Sequence, residues 1–308
     1  MFEREAMSVL ADKRRTETLR RETLLNDLKQ DGEFLKYFNA LNSARFDLAK
    51  AKAFNVKIEE AEKAFSVSQT AFCKYLETIN ISPAQLEETA ECKSCGDTGY
   101  TSDGKRCSCL NGILKTLNAE RGDLPHTSSD FADFDLSKYG GDAKARAATA
   151  AEWLKKWTAA YPNISRGFVT LYGATGVGKT HLAAIAANAF IDKGLDVTFI
   201  KAYRLNELFL RAMLAPLAEK QGILDSIFNC DLLVIDDLGT EEFYKNVTAE
   251  YLYMTIQERE KKATIITTNL TQDMIKTRYQ ERIYSRLFAT NSTATIQLEG
   301  DDLRIKRR

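Results

Sequence analysis

Between Gly173 and Thr180 the chain reads GATGVGKT, a G-x4-G-K-T spacing that suits phosphate binding. Glycines allow a tight loop to point successive N–H groups at phosphate oxygens, where a side chain would block the approach. Lys179 offers a cation for the β and γ phosphates, and the Thr180 hydroxyl offers a ligand for Mg²⁺. The nucleotide-binding candidates are therefore Gly173, Ala174, Thr175, Gly176, Val177, Gly178, Lys179 and Thr180, with His181 directly after them. ATP and Mg²⁺ are the expected cofactors. A chance glycine turn would not need flanking elements, whereas here an apolar strand, Phe168 to Tyr172, precedes the loop and a helical pattern begins near Lys179.

Further along, DLLVIDDLG places Asp236 and Asp237 at the end of an apolar run, as expected at the carboxyl end of a buried parallel strand. Two carboxylates there would face the phosphate loop. Asp236 is expected to hold Mg²⁺ through its water shell, and Asp237 to orient or deprotonate an attacking water. The bland reading of Asp237 is a solvated charge at a strand end. The strand ATIITT ends at Thr268, so Asn269 is placed at the same edge and could hold the water or the γ-phosphate; an Asn there is also a common turn residue. In RYQERIYSRL, Arg278, Arg282 and Arg286 recur at four-residue spacing, the pattern of one helical face. Such a face is either solvated or supplies a guanidinium to a neighbouring subunit's γ-phosphate. Near the C-terminus Arg304 is a candidate in-chain phosphate sensor.

Cys92, Cys95, Cys107 and Cys109 form C-x2-C-x11-C-x-C, with Gly96, Gly99 and Gly104 between the pairs. Two close pairs across a glycine-bearing loop can bring four thiolates to one tetrahedral centre, and a closed site of this kind is structural. Zinc is the economical ion; an iron–sulfur cluster or four reduced thiols are the alternatives. Cys73 and Cys230 lie in apolar or helix-like context and read as packed, and His126 is too isolated to be a ligand.

These groups need elements to position them. The 308 residues suffice for two domains, and 43 basic against 43 acidic residues leave no global attraction for nucleic acid or an anionic membrane. No window approaches the roughly 18 apolar residues of a membrane span, and the opening MFEREAMSVLADKRR lacks a signal-peptide core, so a cytoplasmic location is expected. Up to about residue 80 the periodicity is helical. Leu35, Phe38, Leu41 and Leu48 lie near one face, as do Ile58, Ala61, Phe65, Phe72 and Leu76, which predicts two or three packed helices. SPAQ at Ser82 reads as a capping box opening a short helix. A domain boundary is expected near residue 130, giving segments 1–130 and 131–308. Beyond it, apolar strands alternate with helices, the pattern of a parallel sheet covered on both faces.

In order and wording these parts resemble the bacterial replicative helicase loaders of the DnaC/DnaI type, within the AAA+ ATPases. The resemblance rests on CKSCGDTGY with the later CSC, FADFDLSKY, GATGVGKT, LLVIDDLGTE, TIITTNL, RYQERIYSRL and GDDLR. It implies an α/β fold with an AAA+ core, sheet order 5-1-4-3-2, and a helical, zinc-stabilised N-terminal domain that grips the replicative DNA helicase, a hexamer. It also implies a homo-oligomeric ring or spiral with ATP between subunits, Arg286 as arginine finger with Arg282 in reserve, and Arg304 as second sensor. Single-stranded DNA is then a partner, with Lys201, Arg204 and Arg211 of an additional helical element, 202–222, as candidate contacts. Two other readings compete. A transposition helper ATPase of the IstB type shares the core but is disfavoured by the four-cysteine module. A small-molecule kinase is disfavoured by the paired aspartates and the arginine run.

Overall fold

The computed structural model describes residues 2–87, 90–120 and 122–304. They form two compact units, Ser8–Gly99 and Met1–Met7 with Tyr100–Arg308. No helix among the described residues is long and apolar enough to cross a membrane.

The smaller unit is dominated by α1 (Glu3–Leu28) from Ser8 onward, α2 (Gly32–Phe54) and α3 (Ile58–Thr78). Phe34 and Leu41 of α2 meet Phe72, Tyr75 and Leu76 of α3 in its core. The stripe on α2 thus runs through Phe34 rather than Leu35, because Phe34, Phe38 and Leu41 keep the i, i+4, i+7 spacing that faces one partner. Asp31 starts α2: its carboxylate accepts the Glu33 N–H at 2.9 Å and also the Tyr75 hydroxyl, so the cap is tied to α3. The turn at SPAQ is only a 3₁₀ turn, Pro83–Gln85, in which the Ser82 N–H donates to Gln85 Oε1 at 2.8 Å.

The larger unit carries a five-stranded parallel sheet in the order β2-β3-β4-β1-β5, which is the 5-1-4-3-2 order that the sequence resemblance implies. Its strands are β1 (Phe168–Tyr172), β2 (Val197–Lys201), β3 (Leu232–Leu238), β4 (Ala263–Thr268) and β5 (Thr293–Gln297). Helix α5 (Gly141–Ala160) precedes β1, and the helices between the strands are α6 (Lys179–Asp192), α7 (Ala202–Leu214), α8 (Leu217–Phe228), α9 (Thr248–Glu258) and α10 (Gln272–Leu287). Leu233, Ile235 and Ile266 share a core with apolar residues of α7 to α10. On strands with a period of two, their neighbours Leu232, Val234 and Ile265 face the other way, toward α6, and are also fully buried. Arg259, just after α9, is fully buried and donates to the carbonyls of Ile227, Cys230 and Ala263 at 2.7 to 2.9 Å. Cys230 is packed beside it, as the sequence suggested.

The break between units falls at Gly99/Tyr100, not near residue 130. Helix α4 (Ser108–Glu120) explains the difference: Asn111 donates to the Asp192 carbonyl at 3.2 Å, and Arg106 pairs with Asp196 at 2.8 Å, so residues 100–130 belong with α6 and β2. The additional element of 202–222 is two helices, α7 and α8.

Candidate nucleotide site

The strand–loop–helix unit is built as its glycines require. Gly173 has φ 142°, and a Cβ there would sit 2.0 Å from the Leu298 carbonyl oxygen. Gly176 has φ 79°, and its Cβ would strike the Asp302 carboxylate. At Gly173 a left-handed backbone is combined with close approach of another backbone, whereas at Gly176 it is chiefly the left-handed backbone that favours glycine. Val177 is fully buried, and its carbonyl accepts the Tyr139 hydroxyl at 2.9 Å. The loop is therefore pinned from outside by residues of FADFDLSKY and GDDLR.

Lys179 is buried, and its ammonium donates to the carbonyls of Gly173 (2.9 Å) and Ala174 (2.6 Å) and to Asn269 Oδ1 (2.7 Å). Burial pushes its pKa down, opposed by the nearby charges of Asp237 and Asp236. The contact with Asn269 joins the phosphate loop to the end of β4.

Asp236 is 1% exposed, and its Oδ1 accepts hydroxyls from Thr180 (2.8 Å) and Thr267 (2.7 Å). Burial raises its pKa, while the two hydroxyls oppose the rise. At Asp237 the β3–β4 register slips between Ile235 and Leu238, and Asp237 takes φ 56°. A bulge at this point re-aims the side chains that follow it, so consecutive aspartates need not point to opposite faces. The Asp237 N–H donates to Thr267 Oγ1 at 2.9 Å, so one threonine serves both aspartates. Thr267 lies within TIITTNL, but its role beside both aspartates shows only from its place on β4 next to β3.

A cavity of about 890 Å³ gathers Thr175, Gly176, Gly178, Lys179, Thr180, His181, Asp236, Asp237, Asn269 and Arg304 along its wall. The nucleotide candidates from the loop, the β3 end, the β4 end and the C-terminal segment thus converge. Lys201 lies on this wall too, beside Asp236 in the β2–β3 register. His126, isolated in the sequence, lines the same cavity. His181 stacks on Phe134 with centroids 5.8 Å apart, and burial lowers its pKa. Arg304 is held by the Asp302 carboxylate at 2.8 to 3.0 Å against the loop. The donor set fits Mg²⁺: a hydroxyl and a carboxylate 2.8 Å apart are hard oxygen ligands beside a cationic phosphate cradle.

Arg278, Arg282 and Arg286 do not share one uninterrupted helical face. Gln280 has φ 71° and ψ 163°, which breaks α10 between Arg278 and the other two. Arg278 turns to Glu241, Arg282 pairs with Glu250, and Arg286 pairs with Glu260 at 3.0 Å. None of the three lines the nucleotide cavity of its own chain. Arg204 pairs with Asp123 at 3.2 Å, and Asp123 also accepts the Lys201 N–H at 2.9 Å.

The Sγ atoms of Cys92, Cys95, Cys107 and Cys109 all lie within 4.8 Å of one another. Four thiolates around zinc at about 2.3 Å have sulfur–sulfur edges near 3.8 Å, so the donor set and spacing fit that ion. Tyr100 and Arg106 form an antiparallel bridge between the two cysteine pairs, and the Asp97 carboxylate accepts the Cys92 N–H at 2.8 Å.

Among known proteins, the chromosomal replication initiator DnaA of Campylobacter fetus subsp. fetus (strain 82-40) is 30% identical over 118 residues, 38% of this chain and 26% of that protein. The replicative helicase loader DnaC of Escherichia coli (strain K12) is 28% identical over 122 residues, 39% of this chain and 49% of that protein. The chain thus spans between a quarter and a half of the length of these relatives. A crystal structure of DnaI, 22% identical, overlaps 59% of this chain and 93% of its own with a TM-score of 0.46. The family described as IstB-like ATP binding protein matches residues 118–308, a span that takes in the phosphate loop, both aspartates, Asn269 and Arg304. With more than half of its length in that match, the chain belongs to the family of IstB-like ATP binding proteins.

Proposed function

We propose that this chain is an ATP-driven loader that binds a hexameric replicative DNA helicase and delivers it onto single-stranded DNA as replication starts. The observation that carries the reading is a composite chain. A chain 28% identical over 122 residues to a replicative helicase loader, with the ATP-binding family match at 118–308, also carries a helical unit, Ser8–Gly99, with its own apolar core. That unit is the proposed grip on the helicase. The chemistry proposed for the core is hydrolysis of ATP to ADP and phosphate.

Loop amides from Gly173 to Thr180 cradle the phosphates, and Lys179 exchanges its carbonyl acceptors for β and γ oxygens. Thr180 and Asp236 would hold Mg²⁺, which would neutralise charge on the phosphates. Asp237 and Asn269 orient the attacking water, and Arg304 reads the γ-phosphate from the same chain. Arg286, outside its own cavity, serves a neighbouring subunit in a homo-oligomeric ring or spiral; Arg282 is the fallback.

The full-length chain with MgATP, mixed with the cognate helicase hexamer, is expected to co-elute with it. Deposition of the helicase on circular single-stranded DNA should then depend on ATP. No co-elution with helicase, together with ATP-dependent binding to a transposase, would replace this reading with that of a transposition helper.

A further inference from the structure

Glu241 lies four residues beyond Asp237, and its side chain is 2% exposed. Its Oε2 accepts the Gly239 N–H at 2.8 Å, and its Oε1 accepts the Tyr279 hydroxyl and the Arg278 guanidinium. Arg278 also donates to the Glu241 backbone carbonyl. Tyr279 is fully buried, and burial together with the adjacent carboxylate pushes its pKa up. A buried carboxylate needs this many donors to offset the solvation it has lost.

Each end of this cluster leads to a different part of the proposed hydrolytic site. On one side the turn after β3 is wound tightly: Thr240 Oγ1 donates to the Asp237 carbonyl at 2.8 Å, and Asp237 sits at φ 56°. A left-handed aspartate persists only where its surroundings hold it. On the other side Arg278 and Tyr279 are the last residues before the break at Gln280, beyond which come Arg282 and Arg286. The Glu242 carbonyl accepts from Asn206 of α7 at 2.6 Å, which anchors the loop from a third direction.

We propose that Glu241 is a positioning residue: it locks the Asp237 turn to the break in α10, so that the subunit's own water-orienting carboxylate and the arginines it offers to a neighbour are held as one unit. The inference rests on the roles proposed for Asp237 and Arg286. In this arrangement a shift of the Asp237 turn on binding or losing the γ-phosphate is transmitted through Glu241 to residues 281–286. The subunit reports its nucleotide to the next site along this path.

The test uses the full chain with Glu241→Gln and Tyr279→Phe. Gln keeps the volume but presents an amide to donors that need a carboxylate, and Phe removes one donor. For Glu241→Gln, amide exchange should accelerate together in 237–242 and 281–286 while α6 keeps its protection. Acceleration in one segment only, or in neither, overturns the proposal. In the assembled state kcat should fall about 10- to 100-fold with nucleotide Kd nearly unchanged, as expected when a catalytic group is misplaced by a fraction of its reach. Tyr279→Phe should show the same pattern more weakly, and equal loss of kcat and affinity in both would mark a purely structural role and overturn the proposal. If the wild type turned over no ATP, the function proposed above would fall, while the exchange measurement would still decide whether the two segments are coupled.

Discussion

Lys179 and Asp236 are opposite charges in the same buried cradle, and each is displaced from its ordinary protonation balance by burial. Replacing Lys179 by Ala removes the ammonium that Gly173, Ala174 and Asn269 now share. ATP affinity should drop by about 1.5 to 3 kcal/mol, roughly 10- to 150-fold, in calorimetric titration. Asp236 gives a pH signature of defined sign. A carboxyl whose pKa is raised by folding contributes stability present below its unfolded pKa and lost as pH rises through the folded one. Without nucleotide and Mg²⁺, Asp236→Asn should therefore melt above the wild type at neutral pH, and the gap should close on acidification; a gap that widens in acid would refute the assignment. The same variant should lose Mg²⁺-dependent tightening of ATP. Both residues were legible in the sequence because glycine spacing and an apolar run are local signals. The contacts of Thr267, Tyr139 and Asp302 were not, although all three fall within motifs that carry the resemblance. Each meets the site from at least 30 positions away, through strand pairing or a segment laid over the loop.

At the scale of elements, the strands and the order of helices followed from alternation of apolar runs, and the sheet order matched the one implied by resemblance. The arginine run shows where periodicity fails. Four-residue spacing describes one face only while the helix is continuous, and Gln280 at φ 71° ends that continuity. What directs Arg278 elsewhere is Glu241, a tertiary partner with no spacing signal. Arg286 is turned to Glu260 at the surface, where an exposed ion pair is worth little and is easily exchanged for a phosphate. Arg286→Ala should leave ATP binding intact and reduce turnover by about 10³-fold in the assembled state alone. Mixing it with Lys179→Ala subunits should restore activity if the arginine acts across an interface; failure of every mixture would argue that it does not.

For the whole molecule, the cysteine stretch is where the chain leaves one unit and enters the other. The boundary expected near residue 130 came from the glycine pair and linker composition, which mark a local break but do not register that α4 packs on α6. Metal analysis should find about one zinc per chain, removed by Cys92→Ser with Cys95→Ser; a folded wild type free of zinc would contradict the site.

The strand order also dictates when the phosphate loop can take shape. Strand β1 lies between β4 and β5, both of which follow it by many residues in the chain. During synthesis, the segment 168–172 has no hydrogen-bonding neighbour until residues 263–268 emerge, and its second edge waits for 293–297. Gly173 itself is seated against Leu298 and Gly176 against Asp302. A nascent chain halted before that point carries the GATGVGKT letters without the cradle, so nucleotide capture becomes a property acquired only once the residues up to 302 have emerged.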